Sequence, residues 1–360
     1  MISVVVPTFK EADNLPALTR AVDAVMKSAG FTYELIIADD ASPDDTPAVV
    51  ESLSAEFPIR LVLPEGRGPD LSLSVIDGAR AARFNRVVVM DADLSHPPEA
   101  IRDMMAVLDK DERRFVIGSR YISGGGFDRD WSIWRFLNSH FATLLAKPLV
   151  PCSDPMSGFL GFDRRFVDLD RLRPIGYKIG LELMVRGEFS GVDEVAIQFK
   201  DREIGESKMN LGQQLKYIRH LRRLYVHRLG NLGEFLQYGL VGASGFVVDI
   251  IFYYLLQFLG LHHQVARAIS FWPAVSWNWA LNRRTAFGDR ERRPKGKQWA
   301  EFVVASLVGF TINWGVYAGL TTYVAFFDEW RLLALIAGIG IASVFNFAAS
   351  TLFVYSEKRQ

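Results

Sequence analysis

Residues 87–99 read VVVMDADLSHPPE, an apolar run that stops at two aspartates and is followed by a proline-containing turn. A β-branched run of this kind is typical of a buried strand, and open α/β sheets bind ligands beyond the carboxyl ends of such strands. Asp91 and Asp93 are two residues apart, so their side chains point the same way in extended chain. Such a pair suits a hard divalent cation that substrate phosphates also bind. The stretch therefore predicts an α/β sheet with a metal-assisted site at a strand end.

Further strand-like runs lie on both sides of this stretch. They occupy residues 2–6, 34–38, 59–63 and 115–117, and residues 14–28 between the first two have helical spacing. This β-α-β alternation predicts an open sheet with helices packed on it.

A second acidic cluster, Asp39-Asp40-Ala41-Ser42-Pro43-Asp44-Asp45-Thr46, follows the run 34–38. Carboxylates at a strand end can accept hydrogen bonds from ribose hydroxyls or from base N–H groups. The alternative is an Asx turn that caps a helix beginning near Pro47, and Asp44 to Thr46 suit that role. We therefore expect Asp39 and Asp40 to contact a ligand.

Composition excludes some classes of protein. The 360 residues are 49% hydrophobic and carry no formal net charge, so no bulk basicity indicates a nucleic-acid partner. The single cysteine, Cys152, excludes an internal disulfide. Residues 1–6 lack the basic start of a signal peptide, so we expect the N-terminal part to stay on the cytoplasmic side.

The last third of the chain changes character. Four apolar segments, mostly long enough to cross a bilayer, occupy residues 235–259, 265–281, 302–327 and 332–355. Seven arginines and lysines lie between the second and third segments, and Lys358 and Arg359 follow the fourth. The positive-inside rule then places the N-terminal domain and the C-terminus in the cytoplasm. We predict a multi-pass protein of the cell membrane.

The tail also contains a weak internal repeat. Leu240-Val241-Gly242 resembles Leu307-Val308-Gly309, and Asn278 and Asn346 stand in similar aromatic contexts. Two helical hairpins of like orientation would explain both matches.

We divide the chain into a domain at 1–210, amphipathic linking helices at 211–233 and a membrane domain at 234–360. In the linking segment, apolar residues near one helical face are flanked by arginines; these apolar residues are Leu211, Leu215, Ile218, Leu221, Tyr225 and Leu229. The face either packs on the protein core or lies against anionic lipid headgroups, and both interpretations stay open here.

Five motifs in the same order resemble the family 2 glycosyltransferases, and most of all the dolichyl-phosphate mannose synthases. They are Pro7-Thr8-Phe9-Lys10-Glu11, Asp39-Asp40-Ala41-Ser42-Pro43-Asp44, Asp91-Ala92-Asp93-Leu94-Ser95-His96-Pro97-Pro98, Gly118-Ser119-Arg120-Tyr121 and Gly205-Glu206-Ser207-Lys208. The match covers about residues 1–225, and the tail resembles a GtrA-like membrane domain. The resemblance implies an α/β GT-A (Rossmann-like) nucleotide-sugar-binding domain followed by an all-α transmembrane domain of four helices.

Carried over by motif position, the resemblance also implies site residues. Those expected around the donor are Pro7, Phe9, Glu11, Ile37, Asp39, Asp40, Ala92, Lys178, Arg202 and Lys208. Those expected at the reacting groups are Asp91, Asp93, Arg120 and Arg135, where Asp91 and Asp93, helped by Ser95, would hold Mg²⁺ or Mn²⁺. The two arginines would face the acceptor phosphate, since a guanidinium binds phosphate oxygens two at a time. For Arg135, a snorkelling arginine beside Trp131 and Trp134 is an equal alternative.

The implied activity is the metal-dependent transfer of one hexose, mannose from GDP-mannose, to a polyprenyl or dolichyl phosphate with inversion. A UDP-glucose-dependent glucosyltransferase is the alternative, and Gly66-Arg67-Gly68-Pro69-Asp70-Leu71-Ser72 departs from the family's usual Gly-Leu-Gly/Ser segment near the sugar. A glycolipid flippase or an anchoring and oligomerisation role is open for the tail. The partners implied are the nucleotide sugar, the lipid phosphate and the bilayer.

Overall fold

The computed structural model describes residues 1–127, 141–199, 211–288, 290 and 293–355. Its contacts divide the chain into two compact units, Met1–Arg228 and Leu229–Gln360. Each unit is described by itself below.

The first unit alternates strands with helices. Its strands are β1 (Ile2–Thr8), β2 (Tyr33–Asp39), β3 (Ile59–Val62), β4 (Arg86–Val89), β5 (Arg114–Ser119), β6 (Gly126–Phe127), β7 (Leu160–Asp163), β8 (Gly191–Ala196) and β9 (Gln198–Phe199). Its helices are α1 (Leu15–Ala29), α2 (Thr46–Ser54), α3 (Leu71–Ala81), α4 (Ile101–Lys110), α5 (Ile179–Arg186) and α6 (Leu211–Leu229).

Seven of these strands form one sheet in the order β3-β2-β1-β4-β7-β5-β8. All neighbours are parallel except β7, which is antiparallel to both β4 and β5. The predicted α/β architecture is confirmed, and the ends of β1 to β5 lie within two residues of the predicted runs. The inserted strand β7 was not predicted.

Both faces of the sheet are covered. Side chains alternate along each strand, so that Val5 and Ile36 lie in one core cluster while Val4 and Ile37 lie in the other. Two-sided burial is the reason that these strands are apolar at every position. Helix α3 packs closely on the sheet at Gly78, where a Cβ would overlap the side chain of Val5.

Helix α6 packs on this unit through only part of the predicted apolar face. Leu221 and Leu224 are buried in the first core cluster, and His220 is 1% exposed. Leu215 and Ile218, which we placed on a shared apolar face, are 58% and 53% exposed. The core-facing interpretation is therefore wrong for those two residues, because the buried stripe is rotated away from them.

The second unit is helical. Its elements are α7 (Asn231–Phe258), α8 (His263–Arg284), α9 (Lys295–Tyr323), α10 (Ala325–Glu329) and α11 (Arg331–Ala349), which continues as a π-helical turn over Ser350–Val354. In the described part of the chain, three helices are long and apolar enough to cross a membrane: Asn231–Phe258, Lys295–Tyr323 and Arg331–Val354. Helix α8, the predicted second span, carries Arg267, Asn278 and Asn282 and is not among them.

The four long helices form two hairpins, α7 with α8 and α9 with α11, whose members pack mainly on each other. In the first hairpin, a Cβ at Gly245 would overlap the amide of Asn278, and in the second Gly309 meets Asn346 in the same way. We call these two contacts the Gly–Asn clasps. The two clasps support a repeated hairpin. They make Gly309 the structural counterpart of Gly245, whereas the sequence comparison paired Gly309 with Gly242, three residues earlier.

Candidate active site

Loops after three neighbouring strands carry unusual backbone. Lys10 after β1, Ala41 after β2 and Leu94 after β4 have φ values of 62°, 57° and 57°. Non-glycine residues rarely adopt this left-handed region, and such strain clusters at functional sites. The loops are also tied together, since the Lys10 N–H donates to Ser42 Oγ at 2.8 Å. The carboxyl edge of the sheet is therefore where we look for a functional site.

The turn after β4 presents the two predicted aspartates. Asp91 is 34% exposed, with its Oδ2 4.0 Å from His96 Nδ1. Asp93 Oδ1 accepts a 3.1 Å hydrogen bond from the Ser95 N–H, which closes the turn. Asp91 has no arginine or lysine partner among the described residues, so its carboxylate is available to a cation.

His96 holds this turn in place and is itself packed between aromatic rings. Its Nδ1 accepts the Asp91 N–H at 3.0 Å, so the ring proton is on Nε2. The ring stacks on Phe159 with centroids 5.0 Å apart and meets Phe199 edge-on at 5.7 Å. Burial lowers the pKa of His96, which keeps the imidazole neutral.

The oxygen donors of the turn fit a divalent cation. Ser95 Oγ is buried and has no hydrogen-bond partner among the described residues, although buried hydroxyls normally have one. The same part of the chain contains no group of three or more His, Cys, Asp or Glu that could hold a metal. A cation on Asp91 and Asp93 would therefore need further oxygens from a bound phosphate, as Mg²⁺ sites commonly do.

Asp39 is held at the end of β2. Its Oδ1 accepts from Thr8 Oγ at 3.0 Å and Ser42 Oγ at 2.6 Å, and its Oδ2 accepts from the Ser42 N–H at 2.8 Å. A carboxylate has about four acceptor positions, so capacity for one ligand donor is left. Asp40 beside it is 5% exposed and pairs with Arg67 at 2.9 Å.

Arg120 follows β5 and is oriented by Asp154, which our sequence analysis did not identify. The guanidinium binds Asp154 through Nε and Nη2 at 2.7 and 2.8 Å, and the Arg120 N–H adds a third bond at 3.2 Å. Asp154 is fully buried and Arg120 is 10% exposed. This geometry fixes the plane of the guanidinium.

Lys178 lies immediately before α5, and its Nζ donates to the Met156 carbonyl at 2.8 Å. Burial, together with the charge of Arg120, lowers the pKa of Lys178 to about 8. Asp91 and Asp154 act on the same ammonium electrostatically. Lys178, Arg120 and Asp91 therefore lie in one part of the site, where they influence one another electrostatically.

Residues 154–159, Asp-Pro-Met-Ser-Gly-Phe, contact each side of this site. Besides Asp154 and Met156, Ser157 Oγ donates to the Gly118 carbonyl at 2.7 Å, and Phe159 stacks on His96. A Cβ at Gly158 would lie 3.6 Å from Asp91 Oδ1. The segment leads directly into β7, which is why the antiparallel strand between β4 and β5 matters for the site.

The other expected site residues divide into three groups. Pro7, Ile37 and Ala92 are buried, and Ile37 and Ala92 belong to the core cluster that also contains Val4. Phe9 and Glu11 are half-buried on the loop after β1. Arg135, Arg202 and Lys208 lie outside the described residues, and their roles stay predictions.

Comparison with known proteins matches both units. A family model described as Glycosyl transferase family 2 matches residues 3–169, and one described as GtrA/DPMS, transmembrane domain, matches residues 237–355. A dolichol-phosphate mannosyltransferase from Pyrococcus furiosus is 32% identical over 349 residues, 96% of this chain and 97% of that protein. One from Mycosarcoma maydis is 38% identical over 64% of this chain and 81% of that protein.

Among solved structures, glucosyl-3-phosphoglycerate synthase from Mycobacterium tuberculosis aligns with a TM-score of 0.46. The identity is 19%, over 63% of this chain and 79% of that chain.

Proposed function

The chain belongs to the dolichol-phosphate mannosyltransferase group of glycosyl transferase family 2, with a GtrA/DPMS transmembrane domain, and from this we propose its donor, acceptor and mechanism. It transfers mannose from GDP-mannose to the phosphate of a polyprenyl or dolichyl phosphate. The product is a β-linked polyprenyl phosphate sugar, formed by a single inverting displacement. The catalytic domain faces the cytoplasm.

One observation supports this proposal most. The carboxyl edge of the sheet carries both carboxylates, which can bind a cation, and basic side chains, which can bind the phosphates of a donor and an acceptor. Asp91 and Asp93 form the carboxylate side, while Arg120 and Lys178 form the cationic side. A sugar donor that leaves as a diphosphate and a nucleophile that is a phosphate need both sides. The full-length likeness to dolichol-phosphate mannosyltransferases supports mannose and the lipid acceptor.

Charge management dominates the chemistry that these residues can provide. A lipid phosphate is already anionic at neutral pH, so its attack on the sugar needs little general-base help. Mg²⁺ or Mn²⁺ bound at Asp91, Asp93 and Ser95 would neutralise charge on the leaving diphosphate. Arg120, fixed by Asp154, holds the attacking phosphate, and Lys178 holds the donor phosphates.

The donor assignment is tested with a panel of nucleotide sugars and a short polyprenyl phosphate, with and without Mn²⁺. We expect mannose transfer from GDP-mannose, a β-linkage in the NMR spectrum of the product, and loss of turnover in EDTA. Preferential glucose transfer from UDP-glucose would overturn the donor, and a covalent glycosyl-enzyme would overturn the single displacement.

The metal assignment is tested with Asp93→Asn. We expect turnover to be lost. Mn²⁺ affinity, followed by electron paramagnetic resonance with GDP present, should fall by at least the roughly 10–100-fold that the loss of an outer-shell partner causes. Asp103→Asn, on the surface of α4, is the control and should leave both unchanged. Metal-dependent turnover that survives in Asp93→Asn would refute the ligand role.

A further inference from the structure

Arg67 belongs to the segment that departs from the family pattern, and its guanidinium is bound by protein on all sides. Nη1 donates to Asp40 Oδ1 at 2.9 Å and to the Gly68 carbonyl at 3.0 Å. Nε and Nη2 donate to Asp77 Oδ2 at 3.0 and 2.8 Å, and Nη2 also reaches Ser74 Oγ at 3.1 Å. Such an arginine acts through the groups that it holds.

The group of interest among these is Asp40. It lies beside Asp39, so two buried carboxylates end strand β2, at 1% and 5% exposure. A buried carboxylate is tolerated only when it is paired and hydrogen-bonded, and Asp40 Oδ1 receives both Arg67 and Ser74 Oγ, at 3.1 Å. Burial alone would lower the pKa of Arg67, but hydrogen bonds and charge from Asp77 and Asp40 raise it.

The first turn of α3, which Arg67 contacts through Ser74, is also connected to the loop that carries Lys178. Asp70 caps α3 by accepting the N–H groups of Ser72 and Leu73. Ser72 Oγ then donates to the Gly176 carbonyl at 2.7 Å, two residues before Lys178. The first turn of α3 therefore joins the acidic end of β2 to the loop that carries the buried lysine.

We propose that Arg67 is a positioning residue for nucleotide binding, which holds Asp40 and the first turn of α3 so that Asp39 and Lys178 meet one donor molecule. The ligand class is a nucleoside diphosphate and its sugar conjugate. The inference rests on the proposed function, but it is tested by nucleotide binding alone.

The test is a double-mutant cycle with Arg67→Met, Asp40→Asn and the double variant of the full-length protein in detergent. GDP and UDP binding is measured by calorimetry with Mn²⁺, and KM and kcat are measured with saturating lipid phosphate. We expect each single variant to raise Kd and donor KM by about tenfold, with kcat within about twofold of wild type. The double variant should have a Kd no higher than that of the more impaired single variant, because the two residues act as one unit.

The same strand provides a matched control. At the other end of β2, Glu34 is 4% exposed and pairs with Arg60 at 2.9 Å. Arg60→Met with Glu34→Gln removes a comparable buried pair away from the site, so it should lower thermal stability and leave the nucleotide Kd unchanged. If Arg67→Met does not fold, Arg67→Lys is measured instead, since lysine keeps the charge but not the fork of donors.

Unchanged Kd in Arg67→Met, or in Arg67→Lys where that variant is used, would overturn the positioning role. Effects that multiply to about a hundredfold in the double variant would also overturn it, because they indicate separate contacts with the donor. A wild type that binds neither nucleotide would overturn the proposed function as well. The two failures are therefore distinguishable.

Discussion

At the scale of single residues, the most informative contact is the one between Arg120 and Asp154. Sequence motifs indicated Arg120, but only the structure shows that a fully buried carboxylate sets its orientation. The sequence around Asp154, Pro-Cys-Ser-Asp-Pro-Met-Ser-Gly, has the small and polar residues of an ordinary turn. Its role depends on a contact across 34 residues, which no local pattern encodes.

Asp154→Asn should separate this contact from general stability. Breaking a buried ion pair costs about 3–5 kcal/mol, so we expect a lower melting temperature together with a large loss of kcat. In Asp154→Asn with Arg120→Gln no charge is left unpaired, so stability should recover while turnover does not. Recovery of turnover in the double variant would contradict a role for Arg120 at the acceptor phosphate.

Lys178 should give the activity an upper pH limit. Its pKa of about 8 means that the ammonium is present below pH 8 and is lost as the pH rises through that value. We expect kcat/KM for the donor, which reports the free enzyme, to fall above about pH 8. Lys178→Arg stays charged and should move the fall to higher pH, and an unchanged profile would remove Lys178 from donor binding.

At the scale of elements, β1 to β5 could be predicted because strands buried on both faces are apolar throughout. Strand β7 could not be, since Leu160-Gly161-Phe162-Asp163 is short and contains a glycine and an aspartate. It pairs antiparallel to β4 and β5 because the chain returns through residues 154–159, a long-range arrangement. The turn after β4 that carries Asp91 and Asp93 could therefore be placed from the sequence, and the segment 154–159 beside it could not.

The Gly–Asn clasps can be tested at this scale. Gly309→Ala would place a Cβ against the amide of Asn346, and overpacking of this kind costs about 1–3 kcal/mol. We expect a lower unfolding temperature in detergent, largely restored in Gly309→Ala with Asn346→Ala. Gly315→Ala, in the same helix with open space around its Cβ position, is the control. Equal losses in both glycine variants would contradict the role of the clasp, because alanine at an open helical position favours the helix and should not lower stability.

At the scale of the whole molecule, the predicted membrane topology can be tested by labelling introduced cysteines, because the chain has a single native cysteine. Cys152 is buried, and burial raises the pKa of its thiol to about 12, so it should react slowly with labelling reagents. Single cysteines at Leu261 and Gly296 then report the two sides of the membrane. If α8 crosses the bilayer as the sequence predicts, a membrane-impermeant maleimide on intact cells should label Leu261→Cys and not Gly296→Cys. Labelling of both would show that α8 does not cross, and the opposite pattern would invert the topology.

The placement of the Gly–Asn clasps has a consequence for biosynthesis. Each clasp joins two consecutive long helices of one hairpin, and both residues of the clasp belong to that hairpin. A hairpin can therefore lock as soon as the ribosome has delivered its second helix to the bilayer. The membrane half would then be assembled in two successive insertion steps, and a nascent chain should carry a closed first hairpin once residue 284 has left the ribosome.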